Sequence, residues 1–191
     1  MDYTDTETIR EYLETHLTQK RYKHSLGVAK MAESLARSYD VDPQKAYFAA
    51  LSHDIAKCYK TEQLNRLIRE YGISPFYINN QALAHSKVGA AILKQDFSVE
   101  DTDVLNAVAN HTTGRYGMSM LEEIVYVSDA IEQNRVYEGV NRLRMHAKFD
   151  IDAVCLEILE YCINNIKYMG KELDDDTSDA KRFIEEKLGR E

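Results

Sequence analysis

The sequence has few of the features that define several protein classes. No run of about 18 uncharged apolar residues occurs, so a membrane-spanning helix is not expected. The opening MDYTDTETIREYLE is acidic and has no apolar signal region, and the expected location is the cytoplasm. The three cysteines, Cys58, Cys155 and Cys162, form no CxxC pair and leave an odd count. Cys155 and Cys162 stand seven apart in an amphipathic pattern and read as small apolar core residues in a reducing compartment. Positive charge is also scarce: 24 basic against 32 acidic side chains give a net charge of −8. A general nucleic-acid binder needs clustered positive charge, so that class is set aside. A small polyanionic ligand would need local cations or a metal to overcome the global field.

Alternating strand patterns flanked by hairpin turns are absent, and only two prolines interrupt the helical periodicity. In HSLGVAKMAESLARSY, positions 24, 28, 31, 35 and 39 share one mostly apolar face. Asp42 before Pro43 reads as an N-cap with proline at the first helical position, opening a helix through AYFAALSHDIAK. Ser98 with Asp101, and Ser119 with Glu122, read as capping boxes opening two more helices. DAVCLEILEYCINNIKYM carries an apolar stripe that could serve a dimer as well as a core. Residues 71–81 and 110–118 are irregular and suited to carry binding groups. The expected fold is all-α: a helical core over residues 1–170 and a polar C-terminal extension over 171–191, forming a peripheral helix.

Four of the six histidines, His24, His53, His85 and His111, lie on or beside apolar helical stripes, as does Asp129. Asp54 follows His53 directly. A buried carboxylate needs a partner, since desolvation costs several kcal/mol. A His–Asp doublet alone arises by chance in roughly one chain in five to ten of this length. Imidazoles and carboxylates projected from separate helices into a bundle are instead the ligands of a transition metal. One division places His24, His53, Asp54 and Asp129 around one ion, with His85 and His111 facing a second ion or a phosphate. On a helix, His53 and Asp54 would point about 100° apart and reach one ion only at the edge of its face. His16 and His146 sit in polar surroundings and read as surface residues. Arg21, Lys23, Lys57, Arg115 and Arg135 lie close to the proposed ligands. Lys57 could simply pair with Asp54 at i+3, and Arg115 reads as solvated. Arg135 could reach a phosphate, while Thr112, Thr113 and Gly114 offer hydroxyls and backbone N–H groups or else only a helix-ending turn.

The order His24, His53-Asp54, Asp129 resembles the HD-domain metal-dependent phosphohydrolases, and the extra pair His85 and His111 resembles the members able to hold two metals. RYKHSLGVAKMAESLA, HDIAK, KVGAAI, NHTTGRYGMSMLEEIVYVSDAIEQNR and GVNRLRMHA are similar to the bacterial YqeK-like symmetrical diadenosine tetraphosphate hydrolases, from about residue 9 to about residue 168. Gln133 stands where that family usually has proline, and Ser128 and Ala130 stand where Ala and Tyr are frequent. The resemblance implies an HD-domain helical bundle and cleavage of diadenosine tetraphosphate to two ADP. It implies iron as cofactor, mono- or dinuclear, with other divalent transition metals accepted by the same ligand types. It implies His24, His53, Asp54 and Asp129 as metal ligands and Asp54, Lys57, His85 and His111 as catalytic groups. Arg21, His85, His111, Thr112, Thr113, Gly114 and Arg135 would bind substrate. The expected partner is a dinucleoside polyphosphate, with neither nucleic acid nor membrane. The alternatives are an HD hydrolase acting on a dNTP, cyclic nucleotide or alarmone, or a nucleotide-binding module with little turnover. A purely structural helical adaptor leaves the His/Asp placement without a reason.

Overall fold

The computed structural model describes residue 3 and residues 6–190. Ten α-helices run in the order α1 Glu7–His16, α2 Gln19–Ala36, α3 Pro43–Ser52, α4 Thr61–Glu70, α5 Gln81–Gln95, α6 Thr102–Asn110, α7 Met120–Ile131, α8 Val140–His146, α9 Ile151–Tyr168 and α10 Asp175–Lys187. A single 3₁₀ turn, Pro75–Tyr77, lies between α4 and α5. No strand occurs among the described residues, and no described helix is long and apolar enough to cross a membrane. The all-α expectation holds.

Two of the expected helix starts are seen. The Asp42 carboxylate accepts from the amides of Gln44 and Lys45 ahead of Pro43, and Ser119 with Glu122 forms a capping box on α7. The Ser98 box does not form. Asp101 is the N-cap of α6, its carboxylate accepting from the amides of Asp103 and Val104, while Ser98 adopts φ +54° in the preceding turn. Asp101 also accepts from Tyr3 and faces Lys45, which fixes it at the helix start.

The helix expected through HDIAK stops at Ser52. His53 Nδ1 donates to the Ala50 carbonyl at 2.6 Å, the acceptor the Asp54 amide would need to continue an α-helix. Beyond it the chain advances by tighter i→i+3 bonds, Ile55 N to Ser52 O and Lys57 N to Asp54 O. The His-Asp doublet therefore sits at a helix end instead of on a helical face, and both side chains reach one place.

α2 packs on α3 and α7, α6 lies against α3, α5 and α7, and α9 covers α7. Val28, Ala32 and Leu35 of α2, Phe48 and Leu51 of α3, and Leu121, Ile124 and Val125 of α7 are fully or almost fully buried between these helices. Burying a large aliphatic side chain contributes roughly 1.5–3 kcal/mol, so these central helices form a stiff frame for residues at their ends. Cys155 is buried, Cys162 half-buried and Cys58 exposed.

Within the expected polar extension, α10 buries Thr177, Ala180 and Ile184 against the rest of the fold. Lys187 Nζ lies 2.6 Å from Glu123 Oε1 on α7 and 2.7 Å from Asp152 Oδ1 on α9. Two carboxylates thus share one ammonium, and burial together with Asp152 pushes the Glu123 carboxyl up to about 8. The unfolded side chain releases its proton near its ordinary 4.5. Between those values the folded state holds the extra proton, so this group lowers stability as pH rises, by up to about 1.4 kcal/mol per pH unit. Glu123→Gln mimics the protonated acid. Its melting temperature is expected to decline less than that of the wild type between about pH 5 and pH 8, followed by circular dichroism. Parallel declines in the two proteins would show that Glu123 does not titrate in this window.

Candidate metal centre

Four imidazoles converge where α2, the turn after α3, α5 and the end of α6 meet, and in each the Nδ1 atom already has a partner. His53 Nδ1 donates to Ala50 O at 2.6 Å, His111 Nδ1 to Val108 O at 2.8 Å and His85 Nδ1 to Gln81 O at 3.1 Å. His24 Nδ1 lies 3.2 Å from Glu132 Oε1. These contacts place the proton on Nδ1 and leave Nε2 as the acceptor atom of each ring. His85 Nε2 and His111 Nε2 are only 3.2 Å apart. Two lone pairs at that distance repel unless a proton or a cation lies between them.

Two carboxylates complete the cluster. Asp54, 1% exposed, has Oδ2 3.2 Å from His53 Nε2 and Oδ1 3.4 and 3.6 Å from the Nε2 atoms of His85 and His111. Asp129, near the end of α7, brings Oδ1 to 3.0 Å from His24 Nε2. That last contact is close without hydrogen-bond geometry, and His24 Nε2, His53 Nε2 and Asp54 Oδ1 are buried atoms with no hydrogen-bond partner. Buried polar groups are ordinarily satisfied. Donors tied at the back and open at the front are the arrangement of metal-ligating histidines. Atoms of His24, His53 and Asp129, and separately of His53, Asp54 and His111, lie within 4.8 Å of one another and could hold an ion. The donor set, imidazole and carboxylate, suits a divalent transition metal, so the residues present fit the metal.

Burial alone would raise the Asp54 pKa, but positive charge at the Nε2 side of His53, which a bound cation supplies as well as a proton does, holds the carboxyl well below the usual range, with contacts from His111 and His85. Burial likewise opposes ionisation of Asp129, and His24 and His53 overcome it. The His111 imidazole is pushed down to about 4 by burial, against the favourable contact with Asp54. It is therefore neutral near pH 7, as a metal contact through Nε2 requires.

Cations surround the cluster. Arg21 Nη1 donates to Asp54 Oδ2 at 2.7 Å, and Arg135 Nη2 donates to Asp129 Oδ1 at 2.7 Å. Lys57 Nζ is 3.1 Å from His85 Nε2 and 3.9 Å from Asp54 Oδ1, so it contacts the cluster as well as its i+3 acid. Thr112 lies at the cluster's edge, its hydroxyl 3.3 Å from Ser86 Oγ. Thr113 and Gly114 are placed elsewhere. The Thr113 hydroxyl is buried and donates to Gly114 O, and a Cβ on Gly114, at φ +67°, would lie 2.7 Å from Ala180 Cβ of α10. They shape the turn against the C-terminal helix. Arg115 is paired with Glu122, its Nε donating at 2.8 Å. Lys23 is exposed and lines a groove beside His24. His16 and His146 are exposed, away from the cluster.

Glu132 was not among the residues singled out from the sequence. Buried at 2% exposure, it orients His24 through Oε1 and accepts from the Asn134 amide through Oε2 at 2.7 Å. A Cβ on Gly27 of α2 would collide with this carboxylate, so the glycine in HSLG is what allows it to approach. The signal was its place three residues after Asp129, one helical turn along the same face. Arg144 holds the following turn by donating to the carbonyls of Ile131, Glu132 and Arg135, each at 2.7 Å.

Residues 21–134 match the HD domain family. A Halalkalibacterium halodurans protein named symmetrical bis(5′-nucleosyl)-tetraphosphatase is 38% identical over 162 residues, covering 84% of this chain and 85% of the relative. A Bacillus subtilis protein of the same name is 37% identical, covering 75% and 78%. A crystal structure from Clostridium acetobutylicum, described as a predicted HD superfamily hydrolase involved in NAD metabolism, superposes with a TM-score of 0.90 at 36% identity. It covers 98% of each chain.

Proposed function

The chain belongs to the HD-domain family, close to its symmetrical bis(5′-nucleosyl)-tetraphosphatases, and from that premise we propose that it hydrolyses diadenosine tetraphosphate at the central bridge to give two ADP. The observation that carries this reading is the set of four imidazoles tied at Nδ1, with Nε2 of His24 and His53 unpartnered, beside the buried carboxylate of Asp54 and the half-buried one of Asp129. His24, His53, Asp54 and Asp129 would hold a divalent metal, with iron the first ion to load, as the family resemblance suggests and as the ligand types permit. Bound there, the ion would act as a Lewis acid on a phosphoryl oxygen and make water a better nucleophile at neutral pH.

The remaining work falls to the side chains around it. His111, neutral, and His85 present Nε2 atoms at the cluster's edge, where they can accept a proton from water and then, as Nε2–H, donate to the attacked phosphoryl group. Lys57, resting on His85, offers an ammonium to the departing oxygen. Arg21 and Arg135 supply forked donors to non-bridging oxygens, a role that is mostly electrostatic. Water adds to one phosphorus of the central pair, the bridge to the other breaks, and each product keeps two phosphates.

The test is product analysis with purified protein and diadenosine tetraphosphate, with and without added iron or another divalent metal. Metal-dependent release of ADP alone is expected. AMP with ATP would keep the phosphohydrolase and move the attacked phosphorus, whereas no products with any metal would sink the assignment of substrate.

A further inference from the structure

Two grooves open beside the cluster. The first, about 480 Å³, is reached past His111 and Asp129 and is lined by Tyr126, Leu143, Ile158 and Tyr161. The second, about 700 Å³, is reached past His24 and is lined by Lys20, Arg21, Lys23, Asn134 and Val136. Arg135 and Tyr137 line both. Each volume falls within the range of roughly 300–1,000 Å³ typical of small-molecule sites.

The second groove is basic in a chain whose net charge is −8. Lys20 and Lys23 are exposed, and neither is paired with an acid among the described residues. The acid that lines this groove, Glu132, is occupied by His24 and Asn134. The first turn of α2 carries no acid, although the helix dipole favours one there. Lys20 and Arg21 accept that unfavourable position, with Lys23 in the next turn, beside the buried, unpartnered Nε2 of His24. Val136, 92% exposed, and Tyr137 add an apolar wall at the same place.

Symmetrical cleavage constrains how a dinucleoside tetraphosphate can lie. The reacting bridge must be at the cluster, with one nucleoside diphosphate extending to each side, so one groove can hold only half of the substrate. Resting on the hydrolase reading above, we propose that the groove of Lys20, Lys23 and Val136 binds the second nucleoside diphosphate half. Lys20 and Lys23 contact its phosphates, and Val136 with Tyr137 contacts its base.

The experiment compares steady-state kinetics of metal-loaded wild type, Lys20→Ala/Lys23→Ala and Lys30→Ala on diadenosine tetraphosphate. Lys30 is an exposed lysine of the same helix that lines a different surface depression. If the wild type fails to release ADP, it is the hydrolase reading that fails, before any variant is compared. With an active wild type, the double variant is expected to raise KM about tenfold, the scale of two solvent-exposed ion pairs, with kcat within about twofold. Lys30→Ala is expected to leave KM unchanged. A double-variant KM within twofold of wild type overturns the proposal, and so does an equal rise in Lys30→Ala, which would trace the effect to overall charge.

Discussion

Asp54→Ala is expected to lose bound metal and turnover together while the helices remain. Asp54 is the one group in contact with His53, His85, His111 and Arg21 at once. Without it, three imidazole Nε2 atoms face one another with no anion among them, and a divalent cation would meet fewer charges of opposite sign. Removing a single electrostatic donor from an active site costs roughly 10²–10³ in rate, and removal of a ligand should exceed that, so a loss of about 10³-fold or more is expected. The metal should also stabilise the wild type by mass action, about 2.7 kcal/mol at a hundredfold excess over Kd. The variant should lack that metal-induced rise in melting temperature. Metal content, ADP release and far-ultraviolet circular dichroism on the same preparation decide the matter. Full turnover with tightly bound metal would remove Asp54 from the ligand set.

The helical class, the N-cap at Asp42, the capping box at Ser119 and the convergence of His24, His53, Asp54, His85, His111 and Asp129 were legible because each depends on residue type and short spacing. What spacing could not give was the direction of His53 and Asp54. That direction depends on the helix ending at Ser52, where an imidazole takes the carbonyl that the backbone would otherwise use. Glu132 escaped notice for a related reason. A glutamate at a helix C-terminus looks like an ordinary surface acid, and its burial depends on a long-range event, the approach of α2 that Gly27 permits. Thr113 and Gly114 show the opposite case. The HTTG sequence reads equally as a source of phosphate donors or as a helix-ending turn, and the packing of α10 on Gly114 with the Thr113 hydroxyl bonded to Gly114 O favours the turn for its second half. Long-range packing of a C-terminal helix leaves no local trace in the four residues it orients.

Arg135 has two jobs, and its replacement separates them. Its Nη2 and Nε donate to the Asp129 carboxylate and to the Asp129 carbonyl, and the same guanidinium lines both grooves. As a support for Asp129 it matters modestly. Its side chain is 40% exposed, exposed ion pairs contribute about 0–1 kcal/mol, and α7 and His24 also fix Asp129. As a cation beside the phosphate chain it acts where negative charge concentrates in the transition state, and one such donor is worth roughly 10²-fold or more. Arg135→Ala is therefore expected to keep its metal at saturating concentration and lose about 10²-fold in kcat/KM. Arg135→Lys should recover only part of that loss, because an ammonium lacks the planar fork. Metal analysis alongside kinetics reads the two roles apart: an Arg135→Ala protein that comes away without metal would make the tie to Asp129 the dominant one and take Arg135 out of phosphate binding.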